Sequence, residues 1–577
     1  MRFLKMLLPS LFMLLALPVP EGPVLAGGEP GTASRQMVVA ANPYAAEAGL
    51  DILRRGGSAV DAAIAVQLVL TLVEPQSSGI GGGAFMLYHE PGEGGTGTFR
   101  AYDGREVAPA AITPDLFGDV ERSYQGFLNA VLGGRSVGVP GVVAMLKKAH
   151  DAHGRLAWGD LFERAIGLAS QGFEVSPRLN YLIQTDPLLP KVPGTRDYFF
   201  DDDGRAVAVG ARLRNPAYAE TLRLIRDDGV DAFYKGEIAQ AIVDAVRTAP
   251  HNPGALVLSD LAGYEARVRE PVCASYRMHK VCGMPPPSSG GTTVLAILGL
   301  LEPFDVSALA PNSADAVHLI AEAERLAYAD RDRYVADNDF VPVPVEGLID
   351  RGYLADRARL IAMDRAMTNV EPGMPPGAEA MGTDATAALA STSHFSIIDR
   401  WGAVVSMTSS VENAFGSRLM AGGFMLNNQL TDFSFSPTDD QGRPVANRVE
   451  PGKRPRSSMA PTIVFDDAGR VRLAVGTPGG NAIIAFVAKT LVGVIDWGLG
   501  IDAAIELPNF YNRGGPTTIE MGSPLSGAAM ELKARGHDVR SRSIVSGLHG
   551  FTVDYGEDGK VIRGGADSRR EGVALGD

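Results

Sequence analysis

Three hydroxyl residues, Ser391, Thr392 and Ser393, stand at the head of the alternating run "STSHFSIID", behind a loop rich in Ala and Gly. A hydroxyl triplet is ordinary turn material and a poor start to a strand. It also suits a place where a chain is cut and a hydroxyl residue becomes a new N-terminus. A Thr hydroxyl is a weak nucleophile until a base takes its proton, and a freed α-amine supplies that base without a second side chain. An unperturbed α-amine titrates at about 8, close to working pH. In a strand, Thr392 and His394 share one face. Competing chemistries lack their residues. There is no G-x-S-x-G elbow for a serine triad, and the nine His are scattered without an H-E-x-x-H or Cys/His cluster for a metal. No cofactor is expected, and His150 and His153 in "AHDAHG" read as exposed helix residues. The Gly81-Gly82-Gly83 run follows a helix and opens a strand, the wrong order for a nucleotide loop, and reads as backbone crowding at a tight turn.

The elements around these residues are mixed. "NPYAAEAGLDILRRGG" has a helical apolar period, and residues 37 to 75 read as two helices. The second, "SAVDAAIAVQLVLTLVEP", opens on a capping box from Ser58 to Asp61 and is apolar nearly all round, so it belongs in a core. "AFMLYHE" and "GTFRAYDGREVAP" read as paired strands, residues 140 to 250 as mainly helical, and "SADAVHLIAEAERLAYADRDRY" as one long helix. From residue 392 the strands "HFSIID", "AVVSMTSS", "PTIVFDD" and "VRLAVGT" follow, then the helices "NAIIAFVAKTLVGVID" and "PLSGAAMELKARG". No clean βαβ repeat emerges, which favours an α+β layered sandwich over a doubly wound parallel sheet.

Composition narrows the partners. The chain has 577 residues and a formal charge of -14, without a Lys/Arg-rich tract, which argues against nucleic acid and anionic membranes. Residues 1–26 carry Arg2 and Lys5, then an apolar run, then small residues ending at Ala26, the pattern of a cleavable leader for export to the periplasm or beyond. The only two cysteines, Cys273 and Cys282, fall opposite each other if Arg277 and Met278 form a two-residue hairpin turn; a disulfide and two buried thiols both fit.

Several blocks together are recognisable. "TSHFSIID", "AVVSMTSSVENAFGS", "FMLNNQLTDFS", "PGKRPRSSMAPTIV" and "VGTPGG" resemble the small subunit of the γ-glutamyltransferases (γ-glutamyltranspeptidases). "DILRRGGSAVDAAIAVQLVLTLVEPQSSGIGGGAFMLY", "DGREVAPA" and "MPPPSSGG" resemble the large one. The resemblance implies an N-terminal-nucleophile hydrolase with a four-layer αββα sandwich. It implies a self-cut between Ser391 and Thr392, so that 27–391 form the large and 392–577 the small subunit of one domain. Thr392 would be nucleophile and new N-terminus, with Ser410 as the second hydroxyl near it, where the family has Thr. Gly479 and Gly480 would form the oxyanion hole, whose backbone N–H groups need close approach. Arg105 would hold the substrate α-carboxylate with Ser457 and Ser458, and Asp432 with Gln429 beside it the α-ammonium. Glu412 stands where the family commonly has Asn, and a second carboxylate there would strengthen ammonium binding or have its pKa raised. The stretch from Ser434 to Pro451 has the length of the lid found in some bacterial members but contains no Tyr.

The implied activity is hydrolysis of γ-glutamyl amides such as glutathione, with transfer of the glutamyl group to water, an amino acid or a peptide. Two alternatives stand beside it: a related acylase for glutaryl-type groups, and a non-catalytic binding protein on the same scaffold. Against the acylase, an Asp432 left unpaired without a substrate ammonium would be costly.

Overall fold

A computed structural model describes residues 31–92, 97–121, 123–384, 391–557 and 559–577. The leader and the loop just before Ser391 lie outside the described residues. The fold is α+β, built around two antiparallel sheets of seven strands each. The first runs, edge to edge, Val573–Gly576, Met37–Ala40, Ser391–Ile398, Val404–Glu412, Gly83–Glu90, Thr98–Gly104 and Arg267–Arg269. The second runs Thr32–Ala33, Gly559–Ala566, His549–Gly556, Val471–Gly476, Thr462–Phe465, His279–Gly283 and Val272–Tyr276.

The alternation of side chains shows what each sheet packs against. In Met37–Ala40, Val38 and Ala40 join the core formed with helix Ala59–Val73, while Met37 and Val39 join the core of the second sheet. Phe395 and Ile397 likewise face helix Ala59–Val73, and Ile398 and Val404 the opposite core. Between the sheets lies a polar patch: Ser406 Oγ reaches Val475 O at 3.4 Å and Ser396 Oγ reaches His549 O at 3.3 Å. Helix Ala59–Val73 is buried along its whole length and carries the expected capping box at Ser58 and Asp61. Helices Gly290–Leu301 and Ile483–Ile495 pack in the core of the second sheet.

Two sequence-based expectations are corrected, and one group of strands is added. Residues 37 to 40 are a strand, not the start of a helix; the run "MVVA" is buried on both faces, so period 2 leaves no polar mark. His150 and His153 are half-buried, His150 against the Leu156 carbonyl (3.0 Å) and His153 against the Tyr102 hydroxyl (2.7 Å). Three C-terminal strands, His549–Gly556, Gly559–Ala566 and Val573–Gly576, complete the two sheets. The open question of the cysteines is answered: Cys273 and Cys282 are opposed across the hairpin and form a disulfide.

Candidate active site

The site grows from one irregularity in the first sheet. Ser391 pairs with Glu412 and Ser393 with Ser409, so Ser410 and Val411 together oppose Thr392. Such a bulge re-aims side chains, and here it brings two hydroxyls together. Thr392 Oγ1 lies 3.2 Å from Ser410 Oγ. Ser410 Oγ donates to the carbonyl of Ser391 at 2.8 Å and accepts the Glu412 N–H at 2.9 Å. With its own proton committed to Ser391, Ser410 can only accept from Thr392. The bonds therefore run from the Thr392 hydroxyl through Ser410 to the carbonyl of the Ser391–Thr392 peptide. Gly82 holds this strand in place; a Cβ there would stand 2.1 Å from the Ser410 carbonyl, so the turn "GIGGG" is indeed one of close backbone approach.

The surrounding groups fix both sides of that peptide bond. Ser391 Oγ donates to Gln76 O at 2.5 Å, and Arg570 Nη1 donates to Thr392 O at 2.9 Å. Ser393 Oγ donates to buried Glu74 at 2.7 Å. His394 is held by Thr408 (2.8 Å) and Ser396 (3.0 Å) rather than by Thr392, and burial drives its pKa well below the usual value, so it is neutral.

A cavity opens beside Thr392 and Ser410. Its wall includes Glu412, Gln429, Asp432, Ser457, Ser458 and Gly480. Gly479 and Gly480 form the turn into helix Ile483–Ile495, with φ values of 145° and 55° that favour glycine. A Cβ on Gly479 would come within 2.8 Å of the Phe486 ring.

Asp432 is already partnered. Its Oδ2 accepts from Arg105 Nη2 at 2.5 Å and from Gln429 Nε2 at 2.8 Å. Arg105 is fully buried and spends its other bonds on the carbonyls of Pro455 and Arg456, each at 3.0 Å. Asp432 therefore does not need a substrate ammonium for a partner. Behind Arg105, buried Glu106 approaches Nη1 only to 3.5 Å and is pushed up to about 8 by burial, against the pull of Arg105.

Glu412 is held in the left-handed region at φ 77°, a cost for any residue with a Cβ and less for Asn. Asn428 Nδ2 donates to its Oε2 at 2.5 Å, while Oε1 is buried without a hydrogen bond. Burial, then the nearby Asp432, raise its pKa well above the usual range. Of the two outcomes open to a carboxyl at this position, the unliganded site thus shows the raised pKa.

Among the cavity residues not singled out from the sequence, four carry a charge or an amide: Arg331, Asp384, Arg456 and Asn481. Arg331 sits in "ADRDRY" and reads as an ordinary charge in the last turn of a helix. Arg456 directly precedes Ser457 in the block "RPRSSM", where position alone could have flagged it.

Comparison with known proteins fits this geometry. The family model described as Gamma-glutamyltranspeptidase matches residues 45–577. A "Glutathione hydrolase proenzyme" of Bacillus subtilis (strain 168) is 36% identical over 94% of this chain and 91% of its own length. An "Acylase ACY 1 proenzyme" of Pseudomonas sp. (strain V22) is 35% identical over 95% of this chain and 94% of its own. The crystal structure of a cephalosporin acylase from Bacillus halodurans superposes with a TM-score of 0.82 at 27% identity, covering 98% of this chain and 99% of that one. Two antiparallel sheets with a threonine poised against its own peptide bond mark the class of N-terminal-nucleophile hydrolases. Within that class, the chain belongs to the gamma-glutamyltranspeptidase family.

Proposed function

We propose that the chain is an exported proenzyme that cuts itself between Ser391 and Thr392 and then transfers γ-glutamyl groups from amides such as glutathione to water, an amino acid or a peptide. The observation that carries this reading is the hydroxyl pair at the scissile carbonyl, Thr392 to Ser410 at 3.2 Å and Ser410 to Ser391 O at 2.8 Å. Thr392 Oγ1 attacks the Ser391 carbonyl carbon, and Ser410 supports the oxygen as it gains charge. The C–N bond breaks and its nitrogen takes a proton, leaving an ester. Water hydrolyses that ester into the large subunit, 27–391, and the small subunit, 392–577. The two remain one domain, whose sheets and flanking helices stack as αββα.

In the cut enzyme the Thr392 α-amine takes the proton from Oγ1 as the hydroxyl attacks the γ-carbonyl of the donor. Ser410 orients Oγ1, and the N–H groups of Gly479 and Gly480 receive the oxyanion. The amide nitrogen leaves with a proton, and water or an amine releases the glutamyl group from the ester. Asp432, Gln429 and Glu412 meet the α-ammonium; Arg105, through Asp432, and Ser457 and Ser458 shape the carboxylate side.

A second reading, an acylase for glutaryl-type groups, is favoured by one observation. Asp432 has Arg105 and Gln429 as partners, and burial disfavours the charged form of Glu412, so the free site does not require a cation. Rates on γ-glutamyl and glutaryl anilides with the processed protein separate the two. A kcat/KM ratio in favour of the γ-glutamyl donor supports the transferase reading, and a ratio in favour of glutaryl overturns it.

A further inference from the structure

Of the hydroxyl triplet Ser391-Thr392-Ser393, the last member has no task in the mechanism above. Ser393 is fully buried and lines no part of the cavity. Its Oγ donates to Glu74 Oε2 at 2.7 Å. Glu74 closes helix Ala59–Val73, where its N–H reaches the Leu70 carbonyl at 2.8 Å, and it opens the loop "EPQSS". Its carboxyl is 1% exposed, and among the described residues the Ser393 hydroxyl is its one hydrogen-bond partner. Oε1 has none, and Arg178 Nε stands off from it at 4.0 Å. Burial pushes the pKa of Glu74 up, against the pull of Arg570, Arg178 and the Ser393 hydroxyl. A buried carboxyl with so little to satisfy it is costly, and the end of an apolar core helix has no need of one. Its hold on Ser393 is what it supplies.

The strand ladder does not hold Thr392, because the bulge takes it out of register between the pairs Ser391–Glu412 and Ser393–Ser409. Side chains do so instead. In the unbroken chain Thr392 is gripped from both sides by the loop "EPQSS": Ser391 Oγ donates to the Gln76 carbonyl at 2.5 Å, and Ser393 Oγ to Glu74. The same loop holds the neighbouring strand and the turn after it. Ser77 O accepts the Val411 N–H at 3.2 Å, and Gln76 O the Phe415 N–H at 3.1 Å. The proposed cut leaves Ser391 with the large subunit and ends the upstream grip on Thr392. Arg570 on the Thr392 carbonyl, Ser410 beside Oγ1 and Glu74 on Ser393 then remain.

We propose that Glu74, acting through Ser393, is a positioning residue of the cut enzyme: it clamps the new N-terminus so that the Thr392 α-amine stays against its own hydroxyl. The proposal rests on the hydrolase reading above. The base and the hydroxyl that it serves sit on one residue, so their place in the site depends on how the Thr392–Ser393 peptide is held. Arg570 fixes its carbonyl, and the Ser393–Glu74 bond fixes the residue beyond it. Because Glu74 stands at the end of a helix buried along its whole length, the clamp is anchored in the core of the large subunit. The large subunit thus orients a nucleophile to which it is no longer covalently joined.

The test follows two reactions in the full chain: self-cutting on a denaturing gel, and single-turnover acylation by γ-glutamyl and glutaryl anilides, read as the burst of released aniline. Ser393→Ala and Glu74→Ala should each slow acylation roughly tenfold or more while KM stays near the wild-type value, because a misplaced base costs rate and not binding. Self-cutting should fall less, since Ser391 still grips the unbroken chain from upstream. The double alanine variant should be no slower than the slower single one, because both remove the same bond. Ser393→Thr, which keeps the donor, and Glu74→Gln, which keeps an acceptor, should retain most of the acylation rate, and melting curves establish that each variant is folded. Alanine variants acylated as fast as the wild type overturn the clamp. So does a loss that appears in KM instead of rate, or one that Glu74→Gln and Ser393→Thr share in full. A folded alanine variant that stays uncut would place the bond in the self-cutting step and overturn its assignment to the cut enzyme. A processed wild type acylated by neither anilide would instead overturn the hydrolase reading, and the clamp with it.

Discussion

Replacing Ser410 by Ala removes one hydroxyl and three contacts: the 2.8 Å bond to the Ser391 carbonyl, the 3.2 Å contact with Thr392 Oγ1, and the 2.9 Å acceptance of the Glu412 N–H. In the proposed self-cleavage, the first would set the rate. The carbonyl oxygen gains negative charge as Thr392 attacks, and a fixed donor aimed at such an oxygen is worth about 3 kcal/mol, a factor of roughly 100 to 1,000. The last costs stability only, about 1 kcal/mol for one orphaned buried N–H. Ser410→Ala should therefore fold with a slightly lower Tm and cut itself about 100-fold more slowly or worse. Ser410→Thr keeps the hydroxyl and should retain most of the rate. The assay follows unbroken chain turning into two fragments on a denaturing gel after purification in the cold, with circular dichroism as the control for folding. A folded Ser410→Ala protein that is cut as fast as the wild type would refute the relay from Thr392 through Ser410 to Ser391.

Three further outcomes are expected. Asp432→Asn should shift the kcat/KM ratio toward glutaryl over γ-glutamyl donors, because the cavity loses a carboxylate that can meet a donor α-ammonium; an unchanged ratio removes Asp432 from donor selection. Glu106, pushed up to about 8 from an ordinary 4.5, holds its proton in the folded chain. Its contribution is full below the ordinary value and is lost as pH rises through about 8, so Glu106→Gln should flatten the fall of Tm between those limits; an unaltered slope contradicts the assignment. Replacing both Cys273 and Cys282 by Ser should cost about 2–3 kcal/mol in denaturant unfolding, the loop entropy of a short hairpin. Activity should be unchanged, since the bridge joins the edge strand Val272–Tyr276 to its neighbour, and a loss of kcat would show that the edge strand matters to the site.

Much of the fold was legible because its signals are local. The capping box at Ser58, the strand pair "AFMLYHE" and "GTFRAYDG", and the helix "SADAVHLIAEAERLAYADRDRY" each carry their own period or punctuation. Met37–Ala40 was not, because a strand buried on both faces has no alternation to read. The strands Gly559–Ala566 and His549–Gly556 did have a signal, an alternating run on either side of "GEDG", and could have been found by it. The residues around Thr392 were legible as blocks, but their pairing was not. Nothing in the sequence says that Arg105 gives its guanidinium to Asp432, that a bulge sets Ser410 against Thr392, or that Asp384 reaches Arg456. These depend on contacts between distant parts of the chain, where local pattern is silent.

The most direct measurement of the central claim is N-terminal sequencing of the smaller fragment of purified wild-type protein, set beside Thr392→Ala prepared in the same way. A small fragment that begins at Thr392, together with an unbroken Thr392→Ala chain, is the predicted result. An active wild type that remains one chain, or a Thr392→Ala protein cut at the same bond, would contradict it.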